Sequence, residues 1–192
     1  LSIARIEAGA GGENRETLDI SSLLRDVAEL YEPVAEERGL VLNADADGPI
    51  FVRGDRQLLG QAIANLIDNA IKYGTAEAAR PGMEARPDVE VSAHAKGDIA
   101  EIIVTDRGPG VPISDRERVL DRFVRLEASR SEPGSGLGLS LVAAVARLHG
   151  GSLRLEDNEP GLRVILALPR EGEALVNGAA REAPAGAEIR PA

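Results

Sequence analysis

Asn65-Leu66-Ile67-Asp68-Asn69-Ala70-Ile71-Lys72-Tyr73 is the stretch on which the reading of this chain turns. Wound as helix, it sets Asn65, Asn69, Lys72 and Tyr73 on one side. Leu59, Ile63, Leu66 and Ala70 recur at helical spacing on a different side, which can face a core. Asp55 stands where an N-cap belongs, so the predicted helix covers 56–73 and stops at Gly74. An amide oxygen can ligate a hard cation such as Mg²⁺, which keeps room for phosphate and water. A lysine one turn on can meet a phosphate as a point charge. Taken alone, such a pattern is more commonly a solvated polar face with a capping or buried-amide asparagine. The rest of the chain has to decide.

Composition removes several function classes. The 192 residues are enough for one well-buried domain with something left over. Hydrophobic residues are 43%, charged 28% and aromatic only 2%, which implies a globular core of Leu, Ile, Val and Ala. The formal net charge of −10 argues against a nucleic-acid binder, while leaving room for a local nucleotide site. Without cysteine there are no disulfides and no thiolate or zinc–thiolate chemistry. His94 and His149 show no metal-ligand spacing. No apolar run approaches membrane-spanning length, which fits a cytoplasmic domain, though the parent could still be membrane-anchored.

Outward from the anchor, residues 1–12 read as the end of an upstream helix and a glycine linker, 13–170 as one domain, and 171–192 as a disordered tail. Strands are predicted at 16–20, 40–44, 50–53, 89–95, 99–105, 152–156 and 162–168. Ser21 or Ser22 is expected to cap a helix carrying Leu23, Leu24, Val27, Leu30 and Val34, with Pro33 as a possible kink. Lys96-Gly97-Asp98 reads as a tight hairpin turn, and the apolar run Ile102-Ile103-Val104 as a central strand. Capping-box spacing at 114–117 predicts a short helix over 115–122. A last helix carries Leu141, Val142, Val145 and Leu148, with His149 as a cation at its C-terminus. Seven strands and three main helices suggest an α+β fold. Its expected form is a two-layer sandwich with helices on one face of a mixed, mostly antiparallel sheet.

Two glycine clusters could hold a ligand. Asp106 ends the central strand and is followed by Gly108 and Gly110. A carboxylate there can accept from an exocyclic amine such as adenine N6, and the glycines permit a sharp turn beside a flat base. An Asx-capped turn is the plainer alternative. Gly134, Gly136 and Gly138 alternate just before the last helix, where backbone N–H groups and the helix dipole suit phosphate. Neither the P-loop nor the dinucleotide fingerprint fits their spacing, and a flexible linker is the alternative. Between the clusters lie Arg122, Phe123, Arg125 and Arg130, where arginines could neutralise a triphosphate.

The order of these motifs is the specific signal. The chain resembles the catalytic, ATP-binding domain of a two-component sensor histidine kinase, in the gyrase–chaperone–kinase–mismatch-repair (GHKL) superfamily with its Bergerat fold. Residues 65–73 resemble the N box, 106–110 the G1 box, Arg122-Phe123 the F box and 134–139 the G2 box, and the likeness spans 16–169. Residues 1–9 resemble the end of the second dimerisation helix.

The resemblance implies ATP and Mg²⁺ as cofactors. Asn69 would bind Mg²⁺ with Asn65 on the phosphate side, Lys72 would meet phosphate, and Tyr73 would pack on the nucleotide. Asp106 would take the adenine amine, with Gly108, Gly110 and Val111 beside the base. Gly134, Gly136, Leu137, Gly138 and Leu139 would line the phosphates, and Arg125 and Arg130 would reach in from a lid. Asn65, Lys72, Arg125 and Arg130 are then the groups closest to the transfer itself. Implied partners are a dimerisation domain carrying the acceptor histidine, absent from this chain, and the receiver domain of a response regulator. The parent would be a homodimer and this fragment a monomer.

Two rival readings remain. Hydrolytic members of the superfamily, and the serine kinases acting on anti-sigma-factor antagonists, carry glutamate at the position matching Asn65, as a general base. Asparagine cannot take up a proton, and Asp68 points to another side of the helix. A non-catalytic ATP-sensing module is the second rival, and no missing site residue supports it.

Overall fold

Period-two alternation builds the sheet and period-3.6 alternation builds the layer that covers it. The structure is a computed structural model that describes residues 14–74, 88–124 and 136–171. In chain order the elements are β1 Glu16–Asp19, α1 Ile20–Glu37, β2 Leu42–Ala46, β3 Phe51–Gly54, α2 Arg56–Tyr73, β4 Val89–Lys96, β5 Ile99–Asp106, α3 Gly138–Leu148, β6 Ser152–Asp157 and β7 Leu162–Pro169. Five strands form one sheet in the order β2-β4-β5-β7-β6, and β1 pairs with β3 in a separate two-stranded sheet. All pairs are antiparallel except β2 with β4. The α+β sandwich expected from the sequence is the fold.

On one face of the sheet, Val89, Val91, Ala93, Ala100, Ile102, Val104, Val164, Leu166 and Leu168 are buried in a single core with the apolar stripes of the helices. The other face carries Glu90, His94, Glu101, Arg154 and Glu156, with Arg154 paired to Glu101 across the strands at 3.0 Å. β5 lies in the middle, so its inward residues are fully covered, and Asp106 at its C-terminal end is buried. β4 and β5 join through a two-residue turn in which Gly97 takes φ +59°. The two sheets are tied where Glu171 N–H donates to Phe51 O and Arg170 bridges Val52.

Several expectations are corrected. Helix α1 is capped by Asp19, not Ser21 or Ser22: the Asp19 carboxylate accepts from Ser21 N–H at 3.0 Å and from Ile50 N–H at 3.2 Å. One carboxylate thereby starts the helix and fixes β3, which a serine already inside the helix could not do. Leu30 (74% exposed) and Val34 face solvent, and Ala28 and Ala35 take the buried positions instead. Pro33 is accommodated within the helix on its exposed side, where water can satisfy the carbonyl it leaves unpaired. β2 and β3 each start later than expected. The helix expected at 115–122 is replaced by 3₁₀ turns at Ile113–Asp115 and Arg118–Leu120. Val119 is the sole fully buried side chain of those turns, so no apolar stripe exists to hold a longer helix. The expectations for 1–12 and for most of the 171–192 tail lie outside the described residues.

Candidate functional site

Helix α2 supplies the first wall. Asp55 caps it as expected, accepting from Leu58 N–H at 3.0 Å, and Gly74 ends it by donating to Ala70 O at 2.7 Å. Leu58, Leu59, Ala62, Ile63, Leu66, Ile67, Ala70 and Ile71 are buried, which pins the rotation of the helix. Asn65, Asn69, Lys72 and Tyr73 are left half-buried on its flank, while Asp68 faces solvent. The Asn65 Nδ2 group donates to Gln61 O at 2.8 Å, which turns its oxygen away from the helix.

That oxygen meets the head of α3. A Cβ at Gly138 would lie 3.1 Å from Asn69 Nδ2, 3.3 Å from Asn65 Oδ1 and 3.5 Å from Asn69 Oδ1. A glycine at the start of α3 therefore lets the helix N-terminus sit against both amides, concentrating free N–H groups and amide oxygens in one place. Leu137 and Leu139, on either side of Gly138, pack against the core. They hold the glycine backbone against the two asparagines. Ser140 Oγ donates to Leu137 O at 3.0 Å and steadies the first turn.

The second wall is the turn after β5. Asp106 is buried, and its Oδ1 accepts from Gly108 N–H at 2.7 Å and Leu162 N–H at 3.3 Å. Burial lifts the Asp106 carboxyl above its ordinary carboxylate range, opposed by those two bonds. A Cβ at Gly108 would strike the Tyr73 carbonyl, so glycine is what allows the turn to seat on the end of α2. Gly110 takes φ +69° against Gly161. Val111 is partly buried against the core, and its carbonyl accepts from Arg116 Nε at 3.2 Å.

Asn65, Asn69 and Gly138 are thus brought together, and Asp106 and Gly108 are joined to them through Tyr73. Lys72 turns its Nζ over the Tyr73 ring at 4.8 Å, a cation–π contact at the cleft's edge. Phe123 is 72% exposed with φ +64°, and its N–H donates to Gly136 O at 3.1 Å. Arg125, Arg130 and Gly134 lie outside the described residues.

The sequence reads 157–161 as the turn of the closing β6–β7 hairpin but assigns it no part in the site. Asn158 Nδ2 donates to the Asp106 carbonyl at 2.8 Å, and Gly161 (φ +114°) lies so close to that carbonyl that any Cβ would collide with it. The signal was present in Asn158-Glu159-Pro160-Gly161, but as turn chemistry it named no partner. His149 is also corrected. It is a buried, doubly hydrogen-bonded ring, not a C-terminal cation.

Among the described residues, no group of three or more His, Cys, Asp or Glu could hold a metal. The amide oxygens of Asn65 and Asn69 do fit a hard cation that takes its remaining ligands from phosphate and water. Among the same residues no helix is long and apolar enough to cross a membrane.

Residues 54–172 match the family model described as "Histidine kinase-, DNA gyrase B-, and HSP90-like ATPase". The chain is 35% identical over 166 residues to the sensor-like histidine kinase SenX3 of Mycolicibacterium smegmatis, covering 84% of this chain and 40% of that protein. It is therefore similar to less than half the length of that relative. Among solved structures it is similar to the mycobacterial sensor histidine kinase MprB, with 31% identity, a TM-score of 0.64, and coverage of 82% of this chain and 98% of that one. It is also similar to full-length ShkA in complex with AMPPNP, with 28% identity, a TM-score of 0.71, and coverage of 88% of this chain and 34% of that one. The chain belongs to the histidine kinase-, DNA gyrase B- and HSP90-like ATPase family, as an ATP-binding catalytic domain of the sensor histidine kinase type.

Proposed function

We propose that this domain binds ATP with Mg²⁺ and donates the γ-phosphoryl group to a histidine on a dimerisation domain, for relay to the receiver domain of a response regulator. The observation that carries the reading is the meeting of Gly138 with Asn65 and Asn69 at the head of α3. Phosphoryl transfer asks for positioning and charge neutralisation more than for a protein nucleophile. The α3 N-terminus and the two amides present donors and hard oxygens for that purpose. Bound Mg²⁺ would neutralise phosphate charge, held by Asn69 and Asn65. Asp106 orients the nucleotide through the adenine amine, with Gly108 and Gly110 giving the base its close backbone approach. Lys72 leaves its ring contact with Tyr73 to reach phosphate, and Arg125 and Arg130 complete the charge balance.

Asn65 favours histidine as the acceptor. A neutral imidazole nitrogen needs no general base, whereas water or a serine hydroxyl does. Neither histidine of the chain suits the acceptor role: His149 is buried, and His94 sits on the sheet face opposite the helices, 2.7 Å from Asp47. The domain would act on the cytoplasmic side, as part of a homodimeric parent.

The test is incubation with radiolabelled ATP, alone and with a separately supplied dimerisation domain. Label should appear only in the second case, on the added domain, and be lost in acid. Acid-stable label on this chain alone would sink the histidine reading.

A further inference from the structure

His149 takes no part in the chemistry above, yet both of its ring nitrogens are engaged. Nδ1 lies 2.8 Å from Val145 O, one turn back on α3, and so carries the proton. Nε2 accepts from the backbone N–H of Asp55, at 3.0 Å. The ring is buried, and Gly54 makes the space: a Cβ there would be 3.0 Å from His149 Cδ2.

Helices α2 and α3 therefore meet at two ends. Gly138 lies against Asn65 and Asn69, while His149 holds Asp55 at the head of α2, so the helices run antiparallel. Between these points the buried faces are apolar, with Ala62, Ile63 and Leu66 on one helix and Leu141, Val142 and Val145 on the other. Apolar attraction has no direction and tolerates sliding, whereas a hydrogen bond does not. A helix is stiff along its axis, so a slip at its C-terminus appears in full at its N-terminus.

We propose that His149 is a positioning residue of the nucleotide cleft, setting the register of α3 on α2 and with it the gap between Gly138 and the two asparagines. The inference rests on reading that gap as the phosphate side. It makes the register proton-sensitive, because a second ring proton would put Nε2–H against Asp55 N–H, donor against donor. The charged groups facing the ring are Asp55, from the head of α2, and Arg15, which precedes β1 and donates to Leu148 O. Burial holds the imidazole below its ordinary range. The bond to Val145 opposes that shift, Arg15 adds to it and Asp55 works against it.

The whole chain, free of nucleotide, is followed by NMR from about pH 8 to about pH 5.5, across the range in which histidines titrate. The signals read are the Gly138 amide and the side-chain amides of Asn65 and Asn69. They should move together with the His149 ring signals while the chain stays folded. In His149→Gln they should start displaced and show no such titration. Signals that hold still in the variant at neutral pH, or that ignore His149 as it protonates, overturn the proposal. The two arms are independent, so an unfolded variant leaves the titration decisive, and early acid unfolding leaves the neutral-pH variant decisive. A second readout is affinity for a fluorescent ATP analogue. The variant should bind about fivefold more weakly, the worth of one ordinary hydrogen bond. The wild-type advantage should shrink on acidification. Both proteins see the same titration of the nucleotide, so their ratio isolates His149. A constant ratio overturns the proposal without touching the reading of the site as an ATP pocket, which is tested by whether the wild type binds at all.

Discussion

The two walls of the cleft are built on different principles. At the Asp106 wall the chain holds its own backbone: Gly108 N–H and Leu162 N–H fix one carboxylate oxygen, Asn158 holds the Asp106 carbonyl, and Gly161 fills the remaining space. At the Asn65–Asn69 wall the side chains are half-buried, and their amides crowd the place that a Cβ at Gly138 would take. The first wall is finished before a ligand arrives. On the function proposed above, the second is completed by a cation, phosphate and water. A rigid planar base suits preorganised contacts. A phosphate that must leave suits contacts that reorganise at small cost.

If that contrast is right, damage to the first wall should cost stability and damage to the second should cost affinity. The largest effect should come from Gly161→Ala. With φ at +114° and the Asp106 carbonyl in the way of a Cβ, the substitution should destabilise the chain by about 3 kcal/mol or more, read from urea midpoints. Asn69→Ala should leave that midpoint nearly unchanged and weaken Mg-dependent nucleotide binding by about a hundredfold, on the order of 3 kcal/mol for a lost contact to a charged group. Unchanged affinity by calorimetry would remove Asn69 from the site.

Asp106→Asn tests where the walls join. Gly108 N–H and Leu162 N–H both donate, so they retain the amide oxygen and turn the new NH₂ toward the adenine amine. Affinity should fall by about ten- to a hundredfold. Stability should not fall at neutral pH. Because burial raises the folded carboxyl above its ordinary value of 3.8, its contribution is full below that value and is lost as pH rises through the folded value. Removing the charge should therefore be neutral or stabilising near pH 7, relative to low pH, as a comparison of urea midpoints would show.

His149 has the opposite sign. Its folded value is depressed below 6.5, so its contribution is present above 6.5 and lost as pH falls from there toward the folded value. The wild-type urea midpoint should thus drop on acidification through that window more than that of His149→Gln. The smallest effect should be that of Lys72→Gln. Losing one partly exposed cation–π contact costs under about 1 kcal/mol of stability, while nucleotide affinity falls several-fold if Lys72 reaches phosphate.

Much of this was legible because it is periodic or local. Asp55, the stripe from Leu58 to Ile71 and Gly74 define α2 without any tertiary contact, since capping and amphipathicity act within a few residues. The Gly97 turn and the apolar run of β5 are of the same kind. The failures came wherever two distant segments compete for one group. Asp19 rather than a serine caps α1 because Ile50 N–H, thirty-one residues away, needs the same carboxylate. Leu30 and Val34 fit the helical period but find no facing element among the described residues. The capping-box spacing at 114–117 is real, yet in the turns that form there only Val119 is buried, too little to hold a helix.

Residue types and their order by themselves determined the sandwich class, the anchor helix and the family resemblance, because those properties belong to single segments or to their succession along the chain. Only the tertiary structure decided that Gly138 faces Asn65 and Asn69, that Asn158 and Gly161 brace Asp106, and that His149 is a neutral pin between two helices. Each of those is a contact between segments far apart in the chain. Its direction is set by how the shared core packs, which no local pattern encodes.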